Sequence, residues 1–465
     1  MGRLVGGVML RVVLVGVACF LPWHTASSLA AEPNANDARD AAQLTLGRTL
    51  FTRMWRSGDQ AARGDGLGPL FNERSCASCH KQGGLGGGGP NDNNVQIVNL
   101  VDLKADDPFY STNELQRRFL FPTLEADKSS IVLHRFGAAT PYGYWRRTRE
   151  AMATSSGVNP LLMQRAIVGH LIEAEALPPP RTEAVTQGNL IASRRTIVQP
   201  SFVRLSLEER NTTALFGAGL IDAIPEAAIL AIVETQPVGM RGRPARLPGG
   251  KIGRFGWKGQ NESLLDFTEN ACAVELGLET SKRHEAAMPE FEQVVTTGTS
   301  RFVDSAAVDI TDHEVAALTA FSASLPAPRQ LLPQARLRAV RDGEALFTKI
   351  GCAVCHVRDV ADARGVYSDF LLHRMGGYGS VYYGPTQTLD LASAVQVDEF
   401  RTPPLWGVAD SAPYMHDGKA PSLHEAIMAH GVQADAAARE YRGLERPRQN
   451  ELLAFLESLR APSLK

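Results

Sequence analysis

The sequence has no surplus of either charge: 48 Lys and Arg stand against 50 Asp and Glu, a formal charge of -2. Without a basic field the chain is not built to draw in nucleic acid or an anionic membrane surface. Strand signals are few and short, and no apolar run reaches the roughly 20 residues needed to cross a bilayer. Cysteine is scarce, six in 465 residues, which excludes a small scaffold stapled by disulfides. What the composition does hold is 44% hydrophobic residues with 42 glycines and 27 prolines. That is the balance of a loop-rich globular chain long enough for about two or three domains.

The N-terminus reads as an export signal. Arg3 and Arg11 lie before an apolar run from Val12 to Leu21, and the small residues Ser28 and Ala30 lead to a cleavage point after Ala30. Residues 1–30 are thus expected to be removed, leaving a periplasmic or secreted chain with no membrane span.

Internal repetition organises the rest. G-x-x-L-F-T occurs at 47–52 and again at 343–348, each time ahead of a Cys-x-x-Cys-His string. A second pair follows: TTALFG at 212–217 after Arg210 is matched by TPPLWG at 402–407 after Arg401. The chain reads as a duplicated unit whose first copy carries a large insertion, since Cys76 to Thr212 spans 136 residues and Cys352 to Thr402 only 50. The proline-punctuated stretch 326–333 marks the boundary, giving domains over 31–332 and 333–465. Helical periodicity is visible at 161–177, stopped by three prolines, and at 447–459. The Gly- and Asn-rich stretch 83–94 reads as a surface or cofactor-edge loop.

The cysteines divide into Cys19 in the signal, Cys272 alone, which reads as a buried apolar thiol, and two pairs each followed at once by histidine. CASCH at 76–80 and CAVCH at 352–356 set two thiols and an imidazole at i, i+3 and i+4, one face of a helix. That face suits a covalently attached haem. Cys76 and Cys79, or Cys352 and Cys355, add to its two vinyl groups as thioethers, while His80 or His356 reaches the iron as proximal ligand. A zinc site would need the distant pairs to converge, and a thioredoxin-like pair would need a βαβ frame. Two copies in a repeated frame of an exported chain favour two c-type haems and a mainly α fold of two cytochrome c-like domains.

An iron with two protein ligands is closed to substrate, so the distal ligands decide between electron carriage and chemistry. In the second unit Ser422-Leu423-His424-Glu425 is a capping box opening a helix on which Leu423, Ala426, Ile427 and His430 share the apolar face. His430 is the foremost candidate ligand, with His424, Met428, Met415, His373 and Met375 as rivals. In the first unit the strong donor between His80 and Met152 is His134, in an apolar setting that suits a hydrogen-bonded core residue. The helix after Pro225 carries Ile232 and Val233 near where its expected counterpart has His430. The first haem is therefore expected to be open.

CASCH after GLGPLFNERS, RNTTALFGAGLIDAIPE at 210–226, FGWKG at 255–259, and RTPPLWG at 401–407 with PYMHDG at 413–418 resemble the di-haem oxidoreductase family, peroxidase-like proteins some of which are labelled thiol oxidoreductases. That family is related to bacterial di-haem cytochrome c peroxidases and the methylamine-utilisation di-haem enzyme, and the likeness covers nearly all of the mature chain. In those peroxidases the distal ligand of the C-terminal haem lies 14 residues beyond the histidine of the HDG motif, which here is His430, 14 beyond His416. The family has Met or Tyr there, and His in place of Met is expected to lower that haem's potential. The likeness further implies that Arg401 and His416 sit near the propionates of the second haem, that Ser411 and Pro413 offer oxygens to an inter-domain calcium, and that an acid stands over the open haem. Glu226 is the best positional match for that acid and Asp222 the second; a solvated helix-start glutamate is the plain alternative for Glu226.

The sequence thus leads to a two-haem oxidoreductase in which peroxide meets the iron held by His80, a carboxylate shuttles its proton, and the haem of His356 and His430 passes electrons from a small redox protein, a c-type cytochrome or cupredoxin, or from an oxidised substrate. One of Trp55, Trp145, Trp257 and Trp406 could bridge the haems. The rivals are an electron-transfer cytochrome with both irons six-coordinate and a di-haem oxygenase that binds dioxygen at the open site.

Overall fold

The repeated strings become repeated packing. In a computed structural model, which describes residues 35–59, 61–101, 130–138, 142–154, 204–286, 307–376, 395 and 398–462, the first G-x-x-L-F-T lies in helix α1 (Ala35–Thr52). The N-terminal signal and the periodic stretch 161–177 fall outside the described residues. Residues Ala42–Lys465 cluster as one compact unit, so the two expected halves share a single body.

In chain order the helices after α1 are α2 (Cys76–Cys79), α3 (Tyr142–Thr154), α4 (Ala218–Asp222), α5 (Glu226–Thr235), α6 (Leu264–Glu275), α7 (Asp312–Ser324), α8 (Leu337–Lys349), α9 (Leu423–Met428), α10 (Asp435–Gly443) and α11 (Arg446–Leu456). The class is mainly helical, as expected. Strands are short: β1 (Leu70–Phe71), β2 (Val95–Val101), β3 (Ser130–Val132), β4 (Phe136–Gly137), β5 (Arg204–Arg210), β6 (Ala245–Arg246), β7 (Ile252–Gly253), β8 (Leu372–Arg374) and β9 (Glu399–Arg401). The largest described sheet has the order β3-β2-β5, antiparallel throughout, with Val95 opposite Arg210 and Val101 opposite Arg204. Its strands all lie between Cys76 and Thr212, the stretch that carries the insertion, where the sequence signals no sheet.

Gly47 of α1 faces α7 so closely that a Cβ would stand 2.0 Å from the Ala317 carbonyl, and Gly343 of α8 faces α11 with a Cβ position 2.0 Å from the Glu451 carbonyl. The glycine of each repeat therefore permits a helix crossing at backbone contact. Its phenylalanine does the rest. Phe51 meets Phe321 at 5.2 Å and His80 at 6.2 Å, and Phe347 meets Phe455 at 5.2 Å and His356 at 6.1 Å. Each repeat thus packs a terminal helix onto the histidine of its own CxxCH.

A second repeat is visible only in three dimensions. FGWKG and YMHDG form equivalent tight turns, closed by the bridges Phe255 to Asn261 and Tyr414 to Ala420. Both hold left-handed residues at matching positions, Gly256 and Gly259 in one, Met415 and Gly418 in the other. Each then starts a helix with a serine cap: Ser263 accepts from Asp266 N–H and opens α6, Ser422 accepts from Glu425 N–H and opens α9. The counterpart of α9 is therefore α6, which corrects the sequence expectation that it is α5.

Candidate haem sites

The second motif is built as a pocket. Gly351, with φ 96, turns the end of α8 into the one-turn helix of Cys352–Val354. Cys352, Cys355, His356 and His430 line one cavity of about 570 Å³, together with Arg401 and His416. His356 donates from Nδ1 to Tyr367 O at 2.9 Å, and His430 donates from Nδ1 to Ala426 O at 2.7 Å. Each bond leaves Nε2 for a metal. The ring centroids stand 6.4 Å apart. One ion bonded to a nitrogen of each ring at about 2.0 Å would place them about 6.3 Å apart. The donor set and the cavity therefore fit a haem held through two thioethers and two imidazoles. Burial, with the neighbouring His430, draws the His356 pKa down to about 4, so the ring is neutral, as a ligand must be.

Of the rival donors, His373, Met375 and Met415 line the same cavity, and both histidines have partners of their own. His424 Nδ1 is bonded to Tyr441 Oη at 2.8 Å, and His373 Nε2 to Asp369 at 2.7 Å. Met375 and Met415 line the cavity, whereas Met428 packs in the helical core beside it.

Around the first motif the cap of Ser75 starts α2, its side chain accepting from Ser78 N–H at 3.1 Å. His80 donates from Nδ1 to Gly87 O at 3.1 Å, so the Gly-rich loop returns to orient the histidine. A Cβ at Gly87 would lie 1.7 Å from Gln82 O, a place only glycine can fill. Burial lowers the His80 pKa to about 4 and raises the thiol of Cys76 to about 12, with Cys352 also raised to about 12 and Cys79 and Cys355 pushed upward by the same cause. Un-ionised thiols are not redox nucleophiles. Among the described residues neither motif brings its two thiols and imidazole within 4.8 Å of one another, as zinc would require.

Helix α6 covers this motif as α9 covers the other. At the position equivalent to His430 stands Ala271, so the first motif has no donor at that point. One turn on, the Glu275 carboxylate accepts from Asn72 Nδ2 at 2.8 Å, and its backbone carbonyl accepts from the Asn72 N–H at 2.8 Å. Its charge pushes up the thiols of Cys76 and Cys79, which places it beside them, and burial lifts its own pKa to about 7. Sequence reasoning missed Glu275; the equivalence of FGWKG with YMHDG was the signal that could have found it.

Glu226 and Asp222 are both held at the ends of helices. Glu226 Oε1 accepts from Ile252 N–H at 3.1 Å, with Arg254 at 4.0 Å, and its side chain is 38% exposed at the start of α5. Asp222 Oδ1 accepts from Leu264 N–H at 2.8 Å and caps α6 beside Ser263. Both carboxylates are engaged at backbone amides, and α5 packs against Val357, Val360 and Trp406 of the second half. His134 is a core residue, 3% exposed, with Nε2 on Val274 O at 3.0 Å.

The motifs meet along a seam. Asn211 N–H donates to His416 O at 2.7 Å, Arg401 N–H to Trp257 O at 2.8 Å, and Trp257 Nε1 to Asn211 O at 2.9 Å. Arg401 Nε reaches Gly256 O at 2.8 Å. Trp257 and Trp406 line the cavity, whereas Trp55 and Trp145 are buried elsewhere, Trp145 stacked on Tyr142. Across the same seam Gln82 Nε2 donates to Ala412 O at 2.6 Å, and its buried Oε1 has no partner among the described residues. Cys272 is buried in the first core with Cys76 against it.

Two CxxCH motifs, each packed against a serine-capped helix that follows an equivalent turn, thus meet along one seam. The chain belongs to the family described as "Di-haem oxidoreductase, putative peroxidase", whose profile matches residues 192–459. It is an enzyme, and its family implies two haems. No curated protein sequence matches it. Among solved structures it is similar to hydrazine synthase from Kuenenia stuttgartiensis, at 18% identity over 54% of this chain and 73% of that one with a TM-score of 0.32. A MauG-like protein associated with microbial copper homeostasis gives 20% over 54% and 87%, TM-score 0.28. A variant of the diheme peroxidase BthA from Burkholderia thailandensis gives 15% over 75% and 85%, TM-score 0.29. Among the described residues no helix is long and apolar enough to cross a membrane.

Proposed function

We propose that this enzyme is a periplasmic peroxidase with two c-type haems, reducing peroxide at the first and taking in electrons at the second from a small redox protein, a c-type cytochrome or cupredoxin. The observation that carries the reading is the exchange of His430 for Ala271 at one equivalent position. It leaves one motif with an imidazole facing its proximal histidine and the other with a methyl group. When bound, the haems supply the electrons and the one open coordination position.

The chain's own residues do the remainder. Cys76, Cys79 and His80 hold the first haem, and Cys352, Cys355, His356 and His430 the second, with Arg401 and His416 at its propionates. Glu275 replaces Glu226 and Asp222 as the acid-base group: with its pKa near 7 it can take a proton from the near oxygen of peroxide and return it to the far oxygen. Two electrons and two further protons then give two waters. Asn72 keeps the carboxyl in position. Trp257, whose ring lines the cavity and whose N–H is tied to the seam, is the best placed of the tryptophans to bridge the sites. Gln82 Oε1, with the carbonyls of Ser411 and Pro413, would hold calcium. Export rests on the signal at residues 1–30.

Low-temperature EPR of the ferric protein tests the reading, followed by peroxide titration of wild type and Glu275→Gln. One high-spin and one low-spin haem, with peroxide consumption lost in the variant, is the expected result. Two low-spin signals with no reaction would make the protein an electron-transfer cytochrome. Substrate oxidation with dioxygen and no peroxide would make it an oxygenase.

A further inference from the structure

A second hollow, which the proposed reaction does not use, opens on the surface of the second half. Its volume is about 390 Å³, and its lining includes Arg329, Arg358, Asp359, Arg364, Tyr367 and Trp406. Trp406 also lines the large cavity of the second motif, so this indole is a wall that the two spaces share. It is 5% exposed, and its Nε1 donates to Arg364 O at 3.2 Å, which fixes the ring to the rim of the outer hollow. Tyr367 ties the hollow to the same motif from another side: its carbonyl accepts from His356 Nδ1, and its ring meets Phe347 at 6.0 Å.

The rim of this hollow is positively charged. Three guanidiniums line it against one carboxylate, Asp359, whose Oδ1 is turned to the backbone and accepts from Gly365 N–H at 2.7 Å. Arg358 meets Glu344 at 3.1 Å and Arg364 meets Asp359 at 3.9 Å, but a guanidinium has five N–H donors and can serve a further acceptor beside such a partner. The three arginines are exposed, so their existing pairs are weak and exchange readily. A guanidinium matches an anionic group through paired N–H bonds and stacks its flat face on an aromatic ring. Exposure keeps that attraction modest, which suits a molecule that must leave after each turnover.

We propose that this hollow binds a small aromatic anion, a phenol or hydroquinone bearing a carboxylate or sulfonate, which gives electrons to the second haem through Trp406. The proposal rests on the reading that the large cavity holds that haem, and it adds a second point of electron entry beside the redox protein. The arginines hold the anionic group, the donor ring lies against the shared wall, and the electron crosses one conjugated side chain. A hydroquinone that gives up two electrons and two protons becomes a quinone, and one peroxide taking both becomes two waters. Charge sets the selectivity, because an uncharged ring of the same shape forgoes the arginine contacts.

The test uses the purified two-haem protein, with haem counted first: fewer than two per chain overturns the cavity reading, and a protein that consumes no peroxide with any donor overturns the proposed reaction instead. Binding is measured by equilibrium dialysis without peroxide, with phenolsulfonate against phenol, a pair that differs by one negative charge. Phenolsulfonate is expected to bind about tenfold tighter, and the double variant Arg329→Glu/Arg364→Glu to lose that margin with its phenol affinity unmoved. In the peroxide-dependent oxidation of hydroquinonesulfonate, the same variant is expected to raise KM about tenfold and leave kcat unchanged. Trp406→Phe is expected to lose most of kcat while phenolsulfonate binding stays as it was. Equal binding of the two probes, an arginine variant that keeps the margin, or full hydroquinonesulfonate turnover in Trp406→Phe overturns the proposal. If Trp406→Phe does not fold, the arginine variant decides alone, since its side chains are exposed and their exchange disturbs no core.

Discussion

Glu275 and Ala271 stand one helical turn apart on α6, and the chemistry proposed for the first haem depends on both. Glu275→Gln should leave the Soret band intact and reduce peroxide turnover by about 10²- to 10⁴-fold, the usual worth of a positioned general base. Because burial holds its carboxyl at about 7, the proton-accepting form accumulates above that pH. Wild-type turnover should climb through pH 7, and the residual rate of the glutamine variant should be flat. The two CxxCH motifs were legible in the sequence because their two thiols and imidazole fall within five consecutive residues, as in CASCH and CAVCH. The acid was not. Glu275 comes from a helix far along the chain, and nothing local separates it from Glu226, which a backbone amide occupies.

The elements explain why that helix is where it is. Asp222 and Ser263 together accept the first amides of α6, so Asp222→Ala should lower stability to urea by about 0.5–2 kcal/mol, the cost of a lost cap. Peroxide turnover should survive that change, whereas a catalytic Asp222 would lose it. Placing an imidazole on the same helix, Ala271→His, should turn the high-spin EPR signal low-spin and abolish turnover; a retained high-spin signal would show that α6 does not cover the first iron as α9 covers the second. The helices that carry periodic faces were readable, as α11 shows, and so was the cap that starts α9. The pairing of α6 with α9 was not, because FGWKG and YMHDG share little more than a glycine and are alike in backbone conformation instead of side chains. The β2 and β5 strands were hidden for another reason: their pairing joins segments more than 100 residues apart, across the insertion.

At the scale of the molecule, the folded chain keeps several imidazoles uncharged. His80, His134 and His356 have pKa values drawn down by burial to about 4, below the ordinary value of 6.5 that the unfolded chain would show. Neutral burial thus contributes stability that is present above pH 6.5 and is lost as pH falls towards 4. The haem-free protein should accordingly unfold at lower urea concentration at pH 5 than at pH 7, and equal midpoints would contradict the burial. Haem should offset much of this by engaging His80 and His356 and filling the cavity. The two halves, alike in their helix crossings, turns and caps, differ where one has His430 and the other, at the equivalent place, has Ala271. On the proposed reading such a symmetric scaffold would act as a rectifier: its wiring is the same read from either end, and a methyl exchanged for an imidazole would set the direction in which current runs.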